Sequence, residues 1–242
     1  MPGDAAPRDV LLAAGAWAAE QLRDEGFDWR PRQLMLRRTA GTLRQDILLE
    51  PSARNERSGS IRVLTVLALS DSALRRWRSA HPDRVTRLDD HVCGHYLGYA
   101  CGDTDTRGEM DLGVPHLREK QLTDWLSLLR EHAMPWFAEA GDPDRVTGSR
   151  AADHTSSPAW IVEWLASVGR TDVVPEFVER HVQRHRGWKG AVRRGAALAA
   201  EGGCPGTVAD WPLELGWVAA RVTAEDRRSP TNRQPDEYRD AP

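Results

Sequence analysis

Apolar and polar positions follow two different rhythms along this chain, and the change of rhythm divides it. Over residues 9–25, Leu11, Ala14, Ala18 and Leu22 recur at helical spacing with Trp17 beside them. Gly26 offers a C-terminal stop against which Phe27 can fold back. Three strand-like runs follow: QLMLRR at 33–38, TLRQDILLE at 42–50 and SIRVLTVLAL at 60–69. Thr39-Ala40-Gly41 is a hairpin-sized gap with glycine where a positive φ is expected. The polar stretch 51–59 reads as a loop. In the third run Ile61, Val63, Thr65, Leu67 and Leu69 alternate with Arg62, Leu64, Val66 and Ala68. Both faces turn apolar towards its end, as in a central strand.

Asp71 is placed to cap a short helix, SALRRWRSA, that stops before Pro82. Residues 91–103, HVCGHYLGYACGD, then read as a fourth strand. Residues 117–140 are helical, with Leu122, Trp125, Leu126 and Leu129 on one stripe and Pro135 expected to break it. The stretch 141–157 has linker composition. Beyond it Ser157-Pro158 opens a run of helices expected at 158–168, 174–186, 191–201 and 212–226. Residues 227–242 are polar and rich in Pro, Arg and Asp, the composition of a disordered tail. The fold class is therefore α+β. An antiparallel sheet of about four strands packs against helices over residues 1–140, and an all-helical C-terminal part follows over 158–226.

Composition narrows the functional classes. With 242 residues, 40% hydrophobic and 29% charged, the chain has an ordinary globular make-up. Its ten tryptophans are many for that length, and sheet edges and exposed tryptophans among the helices are natural docking surfaces. Lysine occurs only at Lys120 and Lys189, an arginine preference that coding bias in a GC-rich genome explains. A net charge of −3 argues against the whole chain binding polyanions, and three cysteines, an odd number, against a disulfide framework. No run approaches the roughly 20 apolar residues of a membrane span. Residues 10–19 have the length of a signal-peptide core, but Asp4 and Asp9 offset Arg8, so a helix in a cytoplasmic protein is the expectation.

One resemblance emerges from the layout. A helix leads to Gly26-Phe27, then to a hairpin containing Leu36-Arg37-Arg38, a strand ending at Ser52, a second apolar strand, and a helix ending in Pro135-Trp136. Over residues 9–140 this resembles the bacterial domain-of-unknown-function family 4304. Where that family carries Gln-x-Ser this chain has Glu50-Pro51-Ser52, and Asp111 lacks the neighbouring tryptophans. The resemblance implies an antiparallel sheet with packed helices. It implies no catalytic residues.

The candidate chemistry is sparse. In 91–103 a strand would put His91, Cys93 and His95 on one face, two apart, a spacing that could share one ion. The other face would carry Val92, Gly94, Tyr96, Gly98 and Ala100, small enough to let a helix lie close. On a straight strand Cys93 and Cys101 would stand roughly 26 Å apart, too far for a shared metal or a disulfide. Asp103, Asp105, Gly108 and Asp111 partly match a calcium loop. Arg107 and Val114 occupy two ligand positions, so a solvated acidic loop is expected. His181 and His185 have zinc-helix spacing but lack the glutamate, and arginines crowd them. His81-Pro82-Asp83 reads as a helix stop, and the serines after His154 as helix caps. No phosphate-loop, dinucleotide or nucleophile-elbow motif is present.

Arg180, Arg184, Arg186, Lys189, Arg193 and Arg194 surround Trp188 in a stretch without acidic residues. Such a face can hold phosphates and stack a base, although Gly187, Gly190 and Gly195 are expected to interrupt its helix. The expectation is a non-enzymatic protein-interaction module, immunity- or regulator-like, without a cofactor. A nucleic-acid binder using the basic face is the first alternative. A metalloprotein centred on His91, Cys93 and His95 is the second.

Overall fold

The computed structural model describes residues 5–56, 59–102, 108–155, 157–206 and 210–226. The expected tail, the first half of the calcium-like loop and Ser156 lie outside them. The fold class is α+β, as the patterning implies: an antiparallel sheet with helices on it and further helices at the C-terminal end.

Helix α1 (Pro7–Gln21) turns Val10, Leu11, Ala14 and Ala18 inward. Strands β1 (Asp28–Arg30), β2 (Met35–Ala40), β3 (Leu43–Pro51), β4 (Arg62–Asp71) and β5 (His91–Tyr96) follow in spatial order, and β6 (Met110–Asp111) pairs with the start of β4. The sheet has six strands because β1 and β6, three and two residues long, add to the four that the sequence shows. Neither is long enough to display a period of two. Trp29 of β1 lies so close over α1 that a Cβ on Gly15 would come 2.1 Å from its ring. The β2–β3 hairpin closes through Gly41, at φ +62°, and Thr42.

One face of the sheet carries Leu36, Ile47, Thr65, Leu67, Leu69 and Cys93, all at or near zero exposure. It packs on α1 and on α4 (Arg118–Leu128), whose Trp125 indole donates to Thr65 Oγ1 at 2.8 Å. Burying one such tryptophan is worth on the order of 4–6 kcal/mol before entropy is subtracted. The break at Pro135 takes a specific form. A π-turn (Leu129–Ala133) separates α4 from α5 (Met134–Ala140), absorbing the hydrogen bond that proline cannot make.

Asp71 closes β4 and starts α2 (Ser72–Ala80): Oδ1 accepts from the Ala73 N–H at 2.8 Å. Its Oδ2 accepts from the Trp164 indole of α7 (Pro158–Ser167) at 3.0 Å, tying the helical part to the sheet. The stretch with linker composition is packed: Val146, Ala151 and Ala152 are buried, and a short helix α6 (Arg150–Asp153) forms there. Ser157 sits at the N-cap position of α7, but its hydroxyl is buried and makes no capping bond.

Helices α8 (Val174–Arg184), α9 (Trp188–Ala200) and α10 (Trp211–Asp226) are the last elements among the described residues. The glycines of α9 do not interrupt it. Gly195 meets the Leu213 carbonyl and Gly216 meets the Val192 carbonyl, each with only 2.0 Å for a Cβ. They let α9 and α10 cross at backbone contact. No helix among the described residues is long and apolar enough to cross a membrane.

Candidate functional site

The stretch that reads as one long strand is half strand and half helix. β5 ends at Tyr96, and Leu97–Ala100 forms a short helix, α3. The turn brings Tyr99 back onto His95, ring centroids 3.7 Å apart, and onto His154 at 4.8 Å. A bulge opposite Leu69 and Ser70 changes the faces as well. Cys93 pairs with Leu69 on the core side, whereas His91 pairs with Ser70 on the other. The bulge therefore takes His91 off the face that Cys93 and His95 share opposite Leu69 and Leu67. Among the described residues no group of three or more His, Cys, Asp and Glu could hold a metal ion. Cys93 is fully buried and burial pushes its thiol well up, so it stays protonated.

The released face forms a cleft of about 480 Å3 between the sheet and the helical part. Val66, Ala68 and Gly94 make the floor. A Cβ on Gly94 would stand 3.0 Å from the Leu67 carbonyl and 3.1 Å from His91 Cε1, so the floor is closely packed there, and α7 lies against β5 with Trp160 edge-on to His91. Tyr96 rises on one side and Trp211, the first residue of α10, lines the same hollow. They are 41% and 47% exposed, and Trp211 is the single exposed tryptophan of ten. His91, His95, His154 and Thr155 complete the wall, and Glu50 stands at the rim.

One buried and one part-buried network flank this wall. Arg78 approaches Glu163 with Nε at 2.7 Å and Nη2 at 2.5 Å from Oε2, both side chains fully buried. Its Nη1 donates to the carbonyls of Asp89 at 3.0 Å and His91 at 2.9 Å. Glu163 Oε1 accepts from the Thr86 N–H at 2.7 Å. Burial works against charge on both partners and their attraction works for it; the guanidinium keeps its proton. Across the sheet, Arg37 and Arg44 grip Asp46, and Arg44 reaches Asp90 at 2.8 Å. Burial pushes Asp90 up, but Arg44 outweighs it and the carboxyl lies below its ordinary range.

The histidines are kept neutral. Burial, with the charges of Arg87 and Arg78 behind it, takes His91 down to about 4. Burial and the neighbouring His154 do the same for His95, also about 4, whose Nδ1 accepts from the Tyr96 N–H at 2.7 Å. His154 is lowered by burial and then by Arg184. Thr155 Oγ1 is buried without a hydrogen-bond partner among the described residues.

The other sequence candidates fall elsewhere. Arg180 donates to Asp153 at 2.8 Å and to the Thr147 carbonyl at 2.6 Å, and Arg184 holds the other Asp153 oxygen at 2.7 Å. These two arginines tie α8 to α6. Arg186, Lys189, Arg193 and Arg194 are exposed and form no ion pair among the described residues. Trp188 is half-buried, stacked on His185 at 4.3 Å and parallel to His181 at 5.9 Å. Those two histidines pack as aromatic rings, and burial takes His181 to about 4. In the calcium-like loop, residues 103–107 lie outside the described residues. Asp111 is committed to the sheet, accepting from Ser60 Oγ at 2.6 Å and from the Ile61 and Gly113 N–H groups at 2.9 Å. His81 stacks on Trp77 at the end of α2.

A larger hollow of about 700 Å3 lies under the loop after β3 and shares Glu50. It carries no aromatic side chain. The smaller cleft is the better site because aromatic, apolar and polar groups converge there. Sequence reading missed Glu50, Tyr96 and Trp211 as a group. The one available signal was a tryptophan directly after a Pro/Gly-rich connection, where a helix start exposes it.

Set against protein-family models, curated proteins and solved structures, the chain matches none. The chemistry of the site rests on its geometry.

Proposed function

We propose that this protein is a non-enzymatic interaction module that receives part of a protein partner in the cleft between β5 and α10. One observation carries the reading: Tyr96 and Trp211, both exposed, line a single open hollow at the seam of sheet and helices. Aromatic side chains of this kind anchor protein interfaces, because they bury large area at little entropic cost. The open mouth suits a partner's side chain better than an enclosed metabolite. The histidines support recognition over proton transfer, since they titrate well below neutrality and His95 has one nitrogen already engaged. The basic face supports nucleic-acid binding less well, because two of its six cations serve Asp153.

The test is site-specific photo-crosslinking. A benzoylphenylalanine in place of Trp211 is expected to trap one discrete partner, while the same probe at Val168, exposed on the far end of α7, traps none of it. Equal trapping at both positions would overturn the reading.

A further inference from the structure

We propose that the cleft takes the cationic head of a lysine or arginine side chain presented by a basic segment of the partner. The inference rests on the reading just given and names what the site recognises.

The charge pattern carries it. Among the described residues four arginines behind the cleft are ion-paired, with Asp89 shared by Arg78 and Arg87 and Asp153 by Arg180 and Arg184. Arg44 is paired with Asp46 and Asp90, Arg78 with Glu163 and Asp89, Arg87 with Asp89, and Arg184 with Asp153. Arg150 donates to the Ala100 carbonyl at 2.7 Å, and its charge, like that of Arg184, bears on His154. The histidines that line the hollow carry no charge at neutral pH. Glu50 is the one carboxylate among the residues lining the cleft; it forms no ion pair among the described residues and is hydrogen-bonded to the Tyr96 phenol. Its charge falls directly on Tyr96, where it is the main cause holding the phenol above its ordinary range.

The hollow thus offers a negative rim and two exposed aromatic surfaces. Electron-rich ring faces attract ammonium and guanidinium groups, and an adjacent carboxylate adds to that attraction. A lysine or arginine stem would lie over Val66, Ala68 and Gly94 while its head reaches Glu50. Thr155 Oγ1, buried without a hydrogen-bond partner among the described residues, can accept an N–H. An anionic ligand would meet Glu50 without a free cation in the wall. A free alkylammonium compound shares the head-group chemistry but not the peptide backbone, so the two sources can be separated.

The experiment follows the Trp211 indole and Gly94 amide signals of the full chain by NMR. The protein is titrated with the N-acetyl N-methylamides of lysine, arginine and norleucine, and with tetramethylammonium. The lysine and arginine amides are expected to shift both signals saturably and the norleucine amide not to. Glu50→Gln, an exposed change that leaves the fold intact by circular dichroism, is expected to weaken the cationic probes about fivefold. Equal binding of norleucine, or unchanged affinity in Glu50→Gln, overturns the cation inference while leaving the cleft a binding site. Tighter binding of tetramethylammonium than of either amide overturns the side-chain source. If no probe shifts either signal, the cation inference fails, and the broader reading is judged separately by the crosslinking contrast between Trp211 and Val168.

Discussion

Arg78 and Glu163, 85 residues apart in the chain, meet inside the protein with both side chains fully buried. The pair joins α2 to α7, and the same guanidinium holds the His91 carbonyl at the start of the cleft wall. Removing one partner strands the other charge in the interior. Glu163→Gln is therefore expected to lower stability by about 3–5 kcal/mol. Replacing both, as Arg78→Met with Glu163→Leu, is expected to recover most of that loss. Denaturant unfolding of the two variants checks the difference. A harmless Glu163→Gln would show that the pair does not hold the two parts together.

Acid is expected to weaken the fold through its histidines. His91, His95 and His181 titrate at about 4 when folded, against an ordinary 6.5. Between those values the unfolded chain binds more protons, so stability is complete above about pH 6.5 and is lost as pH falls towards 4. Carboxyls held low by their partners, such as Asp90, add to the loss further down. His181→Phe, which keeps the ring packing against Phe177, is expected to flatten the dependence of melting temperature on pH across that window. An unchanged slope would contradict burial of a neutral His181.

The crossing of α9 and α10 gives a paired test on glycines that look alike in the sequence. Gly195→Ala forces a methyl to 2.0 Å from the Leu213 carbonyl, and the helices must separate. The expected cost is about 1–3 kcal/mol or more. Gly190→Ala meets only the Arg194 Nη1, at 3.6 Å. That change is expected to stabilise the helix by about 0.5–1 kcal/mol. Thermal melts of the two variants should move in opposite directions.

What could be read from the sequence depended on the range of the cause. Local causes were legible: Asp71 capping α2, Gly41 turning the hairpin, Pro135 breaking the long helix. Each acts within a few residues of itself. The bulge that separates His91 from Cys93 was not, because it is set by pairing with Leu69 and Ser70 on another strand. Gly195 looked like a helix breaker because its packing partner lies on α10. The cleft was hidden for the same reason. Glu50, Tyr96, Thr155 and Trp211 come from four separate segments, and none is distinctive alone.

On the proposed function, recognition is centred on Tyr96 and Trp211 and not on the basic face of α9. Its most direct test is the dissociation constant of the crosslinked partner for two variants of the full chain. Trp211→Ala is expected to weaken binding at least about tenfold, the loss of one aromatic anchor. Arg193→Glu with Arg194→Glu is expected to leave the constant within about twofold at physiological salt. The reverse pattern, with tight binding by Trp211→Ala and loss on charge reversal, would contradict the account.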